Sequence, residues 1–261
     1  MKSDTLIDRA FGILKKEGLL QLLRKSLVFI YVKFLVFIYV YRRPLRYKSF
    51  KSSGAFRLQK DTYNYFYHKY NSTWNNERAV EVPIILRMVE KYHGQKILEV
   101  GNVLSHYFSI NHDICDKYEK ADGVINQDII DFQPTKKYDL IVSISTLEHV
   151  GWDENPREPM KVLQAIEHLK EIIAPKGKLV VTLPLGQNPV MDELLKKGEI
   201  QFTKMYFLKR VSLGNKWVEA DWNDICDVKY GYPFSMANGL VIGIIEKSEE
   251  ALHSPHVLSL Q

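Results

Sequence analysis

A succession of short apolar runs, most of them closed by an acid, a glycine or a proline, restricts the fold of this chain more than any other feature. The runs are Lys96–Val100 (KILEV) before Gly101, Asp113–Asp116, Gly123–Ile125 leading to Asp128, Leu140–Ser145, Lys178–Pro184 (KLVVTLP) and Gly239–Ile245 (GLVIGII). Rich in Val and Ile or ended by an acid, they read as strands covered on both faces. Helical spacing of apolar residues appears at Glu77–Tyr92 and again at Pro159–Ile173. Pro83 falls near the start of the first helix, where a missing N–H costs least, and Ala174–Gly177 is expected to end the second. A further strand is expected within Phe202–Glu219. Strands alternating with helices predict an α/β fold with a doubly wound, mostly parallel sheet.

Charge divides the chain in two. Residues 1–60 carry 14 Lys/Arg against Asp4, Asp8 and Glu17, whereas residues 61–261 carry 22 against 28 acids. Within the basic part, Leu27–Tyr41 is apolar or aromatic except for Lys33, contains LVFIYV twice, and is flanked by Lys15, Lys16, Arg24 and Lys25 before and Arg42, Arg43, Arg46, Lys48 and Lys51 after. As a helix this run would extend about 22 Å, against a hydrocarbon core of about 30 Å. The expectation is a helical extension lying in, or shallowly inserted into, an anionic cytoplasmic membrane surface through residues 15–51. A true span, a helix docked on a partner and buried strands are the alternatives. Interleaving of basic with apolar residues argues against nucleic acid. Cys115 and Cys226 are too few for a disulfide framework and lack the spacing of a metal site, which suggests a reducing, cytoplasmic setting, peripheral to the membrane. The expected organisation is a membrane-seeking segment over 1–60, a catalytic domain over 61–250 and a tail over 251–261.

Five of these pieces occur in a telling order: KILEVGN at Lys96–Asn102, Asp116, Asp128, YDLIVSISTLEHVG at Tyr138–Gly151, and LKEIIAPKGKLVVTLPLG at Leu169–Gly186. In that order they resemble the class I, Rossmann-like S-adenosylmethionine-dependent methyltransferases, over roughly Trp74–Lys247. The resemblance implies a seven-stranded sheet with S-adenosylmethionine across the carboxyl ends of the first strands. It also implies that Glu99, Gly101 and Asn102 lie by the methionine part, that Asp116 binds the ribose hydroxyls and Asp128 the adenine amino group, and that Ser145, Thr146 and Leu147 line the other side. Two departures stand out. The glycine-rich turn of that family continues here as Asn102, Val103, Leu104 and Ser105, and the short stretch from Asp116 to Asp128 leaves a loop where a helix is usual, making Glu119 a rival for the ribose.

Beyond the cofactor, His149 is a candidate general base beside Glu148, or alternatively the residue that holds its loop. Trp152, Asp153, Glu154, His106 and Tyr107 are candidate acceptor contacts, and the aromatic residues Tyr63–Tyr70 a lid or a packing cluster. A sulfonium methyl is already electrophilic, so alignment of a nucleophile is the main requirement. The expected acceptor is a small molecule, a glycan or a lipid precursor near the membrane. A nicotinamide oxidoreductase is disfavoured by the absence of G-x-G-x-x-G after the first strand. A catalytically degenerate domain that serves as a membrane-associated binding module is the remaining alternative.

Overall fold

The structure, a computed structural model, describes residues 54–249 throughout and, ahead of them, residues 14, 15, 18–21, 23, 24, 26–28, 30 and 31. The chain divides into two compact units, Met1–Ser53 and Gly54–Gln261. In the first, the described residues are helical apart from Gly18, and Leu19, Leu20, Leu23, Leu27, Ile30 and Tyr31 are exposed. Among the described residues no helix is long and apolar enough to cross a membrane. Most of the Leu27–Tyr41 run and the 251–261 tail lie outside them.

The second unit opens with a hairpin of β1 (Ala55–Leu58) and β2 (Asp61–Asn64), whose alternate residues Phe56, Leu58 and Tyr63 are buried. There follow α1 (Arg78–Lys91), β3 (Ile97–Val100), β4 (Asp113–Cys115), β5 (Val124–Ile125), β6 (Tyr138–Ile144), α2 (Lys161–Ile172), β7 (Ile173–Pro184), α3 (Pro189–Lys196), β8 (Lys204–Arg210), β9 (Trp217–Ala220), α4 (Trp222–Ile225) and β10 (Gly239–Glu246). Strands β3 to β10 form one sheet in the order β5-β4-β3-β6-β7-β10-β8-β9. It is parallel from β5 to β7; β10 enters antiparallel between β7 and β8, and β9 adds an antiparallel edge.

Period-two alternation sorts the strand residues between two cores. Leu98, Val100, Ile141, Val181 and Val241 face the layer built from Val162, Ala165, Ile166 and Leu169 of α2 and Met191 and Leu194 of α3. Ile97, Leu140, Val142, Val180 and Ile242 face Val80, Val82, Ile84 and Ile85 of α1, together with the hairpin. Both faces are covered, as continuous apolar strands require. The outer edge at β9 is tied to the segment after the hairpin: the Tyr65 hydroxyl accepts the Trp217 N–H at 2.8 Å and donates to the Trp217 carbonyl at 3.3 Å.

The fold is the expected α/β sheet, with particular differences. Phe202–Glu219 supplies two strands, so the sheet has eight strands rather than seven. Ala174–Gly177 does not separate α2 from its strand: β7 begins at Ile173, and the register jumps from Tyr138↔Ile173 to Leu140↔Lys178, absorbing the extra residues in an irregularity beside β6. The turn after Gly101 leads only into a single 3-10 turn, Leu104–His106. The hairpin at 55–64 places the boundary of the α/β unit before residue 60. A chain beginning at Gly54 should therefore melt with the full-length α/β unit, whereas one beginning at residue 61 loses β1 and the burial of Phe56 and Leu58. At about 1.5–3 kcal/mol per buried apolar side chain, chemical denaturation should show a loss of several kcal/mol for the shorter protein.

Candidate functional site

The site begins at the end of β3. Glu99 is fully buried, and its Oε1 accepts the N–H groups of Val103 at 2.9 Å and Leu104 at 2.8 Å, while Oε2 meets His112 Nε2 at 3.0 Å. A carboxyl group buried in this way requires such partners. They fold the chain back just after Gly101. Gly101 has φ +84°, and a Cβ there would stand 2.2 Å from Thr146 Oγ1, so both its backbone conformation and its close approach to the β6 exit demand glycine.

Asp116, at the end of β4, ties this turn to its own. Its Oδ2 accepts the Asn102 N–H at 3.0 Å, and its Oδ1 accepts the Tyr118 and Glu119 N–H groups at 2.8 Å each. The Asn102 side chain donates to Glu119 at 2.9 Å, and His106 Nε2 lies 3.3 Å from the other Glu119 oxygen. The Asn102 side chain and backbone thus cross-link two loops.

Between the carboxyl ends of β3, β4, β5 and β6 opens a cavity of about 430 Å³. Gly101, Asp116 and Glu119 line one side, Asp128 and Ile129 a second, Thr146, His149 and Glu154 a third. It lies where the chain, having built β4 and β5 on one side of β3, crosses to β6 on the other, the switch point at which open α/β sheets bind ligands. At its far end Lys117 Nζ is 2.8 Å from both Asp128 Oδ2 and Glu154 Oε2, and Lys161 Nζ is 2.7 Å from the same two oxygens. Burial works against ionisation of Asp128 and Glu154, but the hydrogen bonds from the two ammonium groups outweigh it and hold both carboxyls below their usual range.

The β6 exit carries a second cluster. Ser145 has φ +39°, donates its hydroxyl to Glu81, and receives its place from the Thr182 carbonyl at 3.0 Å. Leu147 is buried in the core formed with α2 and α3. Glu148 is fully buried, and neither of its oxygens meets a hydrogen-bond partner from another residue. Burial, with Glu81 nearby, pushes its carboxyl well above the usual range, and Arg78, ion-paired to Glu81, only partly opposes this. His149 lines the cavity; its Nδ1 is 2.5 Å from Asp153 Oδ2, and its Nε2 is 3.3 Å from Gln187 Nε2 and 3.7 Å from Glu148 Oε1. A nitrogen against a carboxylate carries the proton, which leaves the Nε2 lone pair toward Gln187.

Of the residues chosen from sequence, Gly101, Asp116, Asp128, Thr146 and His149 line the cavity together; Glu99, Asn102, Ser145, Leu147 and Glu148 stand behind the wall and shape it. Sequence reasoning missed Lys117, Lys161, Gln187, Glu77 at the cap of α1, and Arg78 and Glu81 in its first turn. The one available signal was an acid in the buried face of an otherwise apolar helix at Glu81. The Tyr63–Tyr70 aromatics pack: Tyr63 stacks on Phe56 at 5.4 Å, and Tyr70 on His106 at 4.5 Å.

No protein-family model matches the chain, and no curated protein matches it. Solved structures similar to it include the N-methyltransferase NodS from Bradyrhizobium japonicum WM9, at 13% identity, covering 66% of this chain and 97% of that one with a TM-score of 0.40. A methyltransferase dependent on S-adenosylmethionine from Archaeoglobus fulgidus is 14% identical and covers 63% of this chain and 91% of its own, with a TM-score of 0.39. Magnesium protoporphyrin IX methyltransferase from Synechocystis PCC 6803, solved with bound S-adenosylmethionine, is 11% identical over 63% of this chain and 76% of its own, with a TM-score of 0.34.

Glu148 gives the site a pH signature. A carboxyl whose folded pKa lies above its unfolded value binds its proton more tightly when folded, so folding loses stability as pH rises from the ordinary Glu range toward the folded value. Glu77, Arg78, Glu81, Tyr230 and His149 are the ionisable groups that face it. The isosteric Glu148→Gln should therefore gain stability relative to the wild type between pH 5 and pH 8 (the span about the titrations of Glu and His) in urea melts. A difference independent of pH would refute the protonated, buried carboxyl.

Proposed function

We propose that the chain transfers a methyl group from S-adenosylmethionine to an acceptor that reaches the cavity beside His149. The observation that carries this reading is the cavity at the sheet's switch point, with Gly101, Asp116 and Asp128 brought together in its wall from three separate strand ends. The residues present suit the ligand. Around the cavity the four acids Asp116, Glu119, Asp128 and Glu154 outnumber the two lysines, Lys117 and Lys161, among the described residues, an excess of negative charge that favours a sulfonium cation. Oxygen acceptors at Asp116 and Glu119 suit a ribose diol. Asp116 already accepts three backbone N–H groups, while Glu119 accepts one amide and faces one imidazole, which supports Glu119 sharing the diol.

When bound, S-adenosylmethionine supplies a methyl group that its sulfonium makes electrophilic. The chain positions and deprotonates. Gly101 admits the ligand close to the backbone, and Thr146, held by its hydroxyl's 3.1 Å bond to the Ile144 carbonyl, closes the opposite wall. Asp153 orients His149 so that Nε2 can take a proton from an acceptor hydroxyl that displaces the long Gln187 contact. The same Asp153 contact holds the loop, so the two sequence-based roles for His149 coincide.

Calorimetric titration should give micromolar binding of S-adenosylmethionine but not of NAD, weakened at least about tenfold by Asp116→Ala, since a charged acceptor pair is lost. A folded protein that takes up no S-adenosylmethionine would instead be a binding module.

The acceptor, on this reading, is an amphiphile or glycan precursor at an anionic membrane surface. Support comes from the exposed Leu19, Leu20, Leu23, Leu27 and Ile30 of the N-terminal unit, beside the exposed Lys15 and Arg24. The full chain should sediment with phosphatidylserine-containing vesicles and less so at high salt, whereas a chain from Gly54 should stay in solution. Equal sedimentation of both proteins would remove the membrane from the proposal.

A further inference from the structure

Glu148 is 0% exposed, yet neither oxygen of its carboxyl has a hydrogen-bond partner among the described residues. Buried polar groups are ordinarily paired, because an unpaired one forfeits its hydration without compensation. The groups around it define what is missing. Glu77, Arg78 and Glu81 face it from α1 and its cap, and Tyr230 from the loop before β10. These neighbours have partners of their own: Glu77 accepts the Ala237 N–H at 3.2 Å, Arg78 pairs with Glu81, and Glu81 also accepts the Ser145 hydroxyl. Arg210, on the far side of Glu77, directs its guanidinium to the Asn75 and Ser235 carbonyls. Three carboxyl groups therefore outnumber the cations committed to them, and a positively charged donor answers both the unmade hydrogen bonds and the charge.

His149 locates that donor. Its Nε2 is 3.7 Å from Glu148 Oε1, belongs to a side chain that lines the cavity, and faces the half-buried Gln187 amide through a long 3.3 Å contact. Two acceptor atoms this close suit two donors carried on adjacent carbons of one ligand. We propose that the methyl acceptor is a vicinal amino alcohol, its ammonium held by Glu148 and its neighbouring hydroxyl by His149, entering where the Gln187 amide stands. The arrangement also selects the atom that is methylated. An ammonium held on a carboxylate keeps its proton and has no lone pair with which to attack. The hydroxyl passes its proton to His149 Nε2, its oxygen bonds to the methyl carbon, and the carbon–sulfur bond breaks with its electron pair left on sulfur. Glu148 thus binds the acceptor, and His149 takes the proton.

The inference rests on the S-adenosylmethionine reading of the cavity and deepens it by naming the acceptor class. Calorimetry on the full chain saturated with S-adenosylhomocysteine tests it with two pairs of probes. D-glucosamine against D-glucose represents a sugar source, and 2-amino-1-octanol against 1,2-octanediol a lipid one. In at least one pair the amino compound should bind at least about tenfold more tightly, as a charge-assisted hydrogen bond replaces a neutral one. Glu148→Gln, which keeps the shape and removes the charge, should bring that pair within about threefold. His149→Gln should weaken both members of the pair and leave the preference between them. Where Glu148→Gln does not fold, Glu148→Asp, which draws the charge back from His149, should cut the preference likewise. No preference in either pair, no binding of any of the four probes, or a preference that survives in the Glu148 variant would overturn the subsite. A folded wild type that does not take up S-adenosylhomocysteine would overturn the cofactor reading itself, so the two failures are distinct.

Discussion

Glu99 sits at the end of the central strand β3 with a carboxylate buried from water, and the arrangement of the site follows from satisfying it. Two backbone N–H groups and His112 surround its oxygens, which forces the chain to turn immediately after Gly101. That turn brings Gly101 against the Thr146 side chain, so the exits of β3 and β6 meet at a contact that leaves no room for a Cβ at residue 101. It also aims the Asn102 N–H at Asp116, which fixes the β4 exit to the β3 exit. Leaving any of those partners unmade would cost more than a typical net hydrogen bond contributes, so the three strand ends hold one geometry.

Two acidic neighbourhoods then share one edge of the sheet but take opposite electrostatic solutions. Asp128 and Glu154 remain ionised because two lysines meet them directly. Glu148, two residues along from Thr146, has no comparable partner among the described residues, so burial holds its carboxyl well above the usual range, while the nearby Arg78 is committed to Glu81. One neighbourhood keeps its charge by pairing and the other is driven toward the neutral form by burial.

Much of this fold was legible because the determining forces act locally. Continuous apolar strands, a helix with its apolar stripe and a glycine at a strand end each leave a signature within a dozen residues, and β3, β6, α1 and α2 all lie where their patterns put them. The 55–64 hairpin left little trace, because two four-residue strands joined at Gln59 have too few alternations to read. Ala174–Gly177 follows the end of α2, as its composition suggests, but the strand starts already at Ile173, and the four residues form an irregularity unpaired with β6 between Tyr138↔Ile173 and Leu140↔Lys178. At the site, acids at strand ends could be picked out one by one. Lys117 and Lys161 could not, because a lysine's partners across 11 and 33 residues depend on how loops fold over the sheet.

The two borders of the sheet have a bearing on the rest of the chain. One ends in β5, only two residues long, and the other in β9, where the Trp217 amide and carbonyl are both taken by the Tyr65 hydroxyl. Neither offers the row of unpaired peptide groups on which an incoming strand could grow. That matters for a protein that carries LVFIYV twice, a segment with the composition of a self-associating β-strand. With one border two residues long and the other capped by Tyr65, the sheet gives a strand of that composition little template for intermolecular β-pairing.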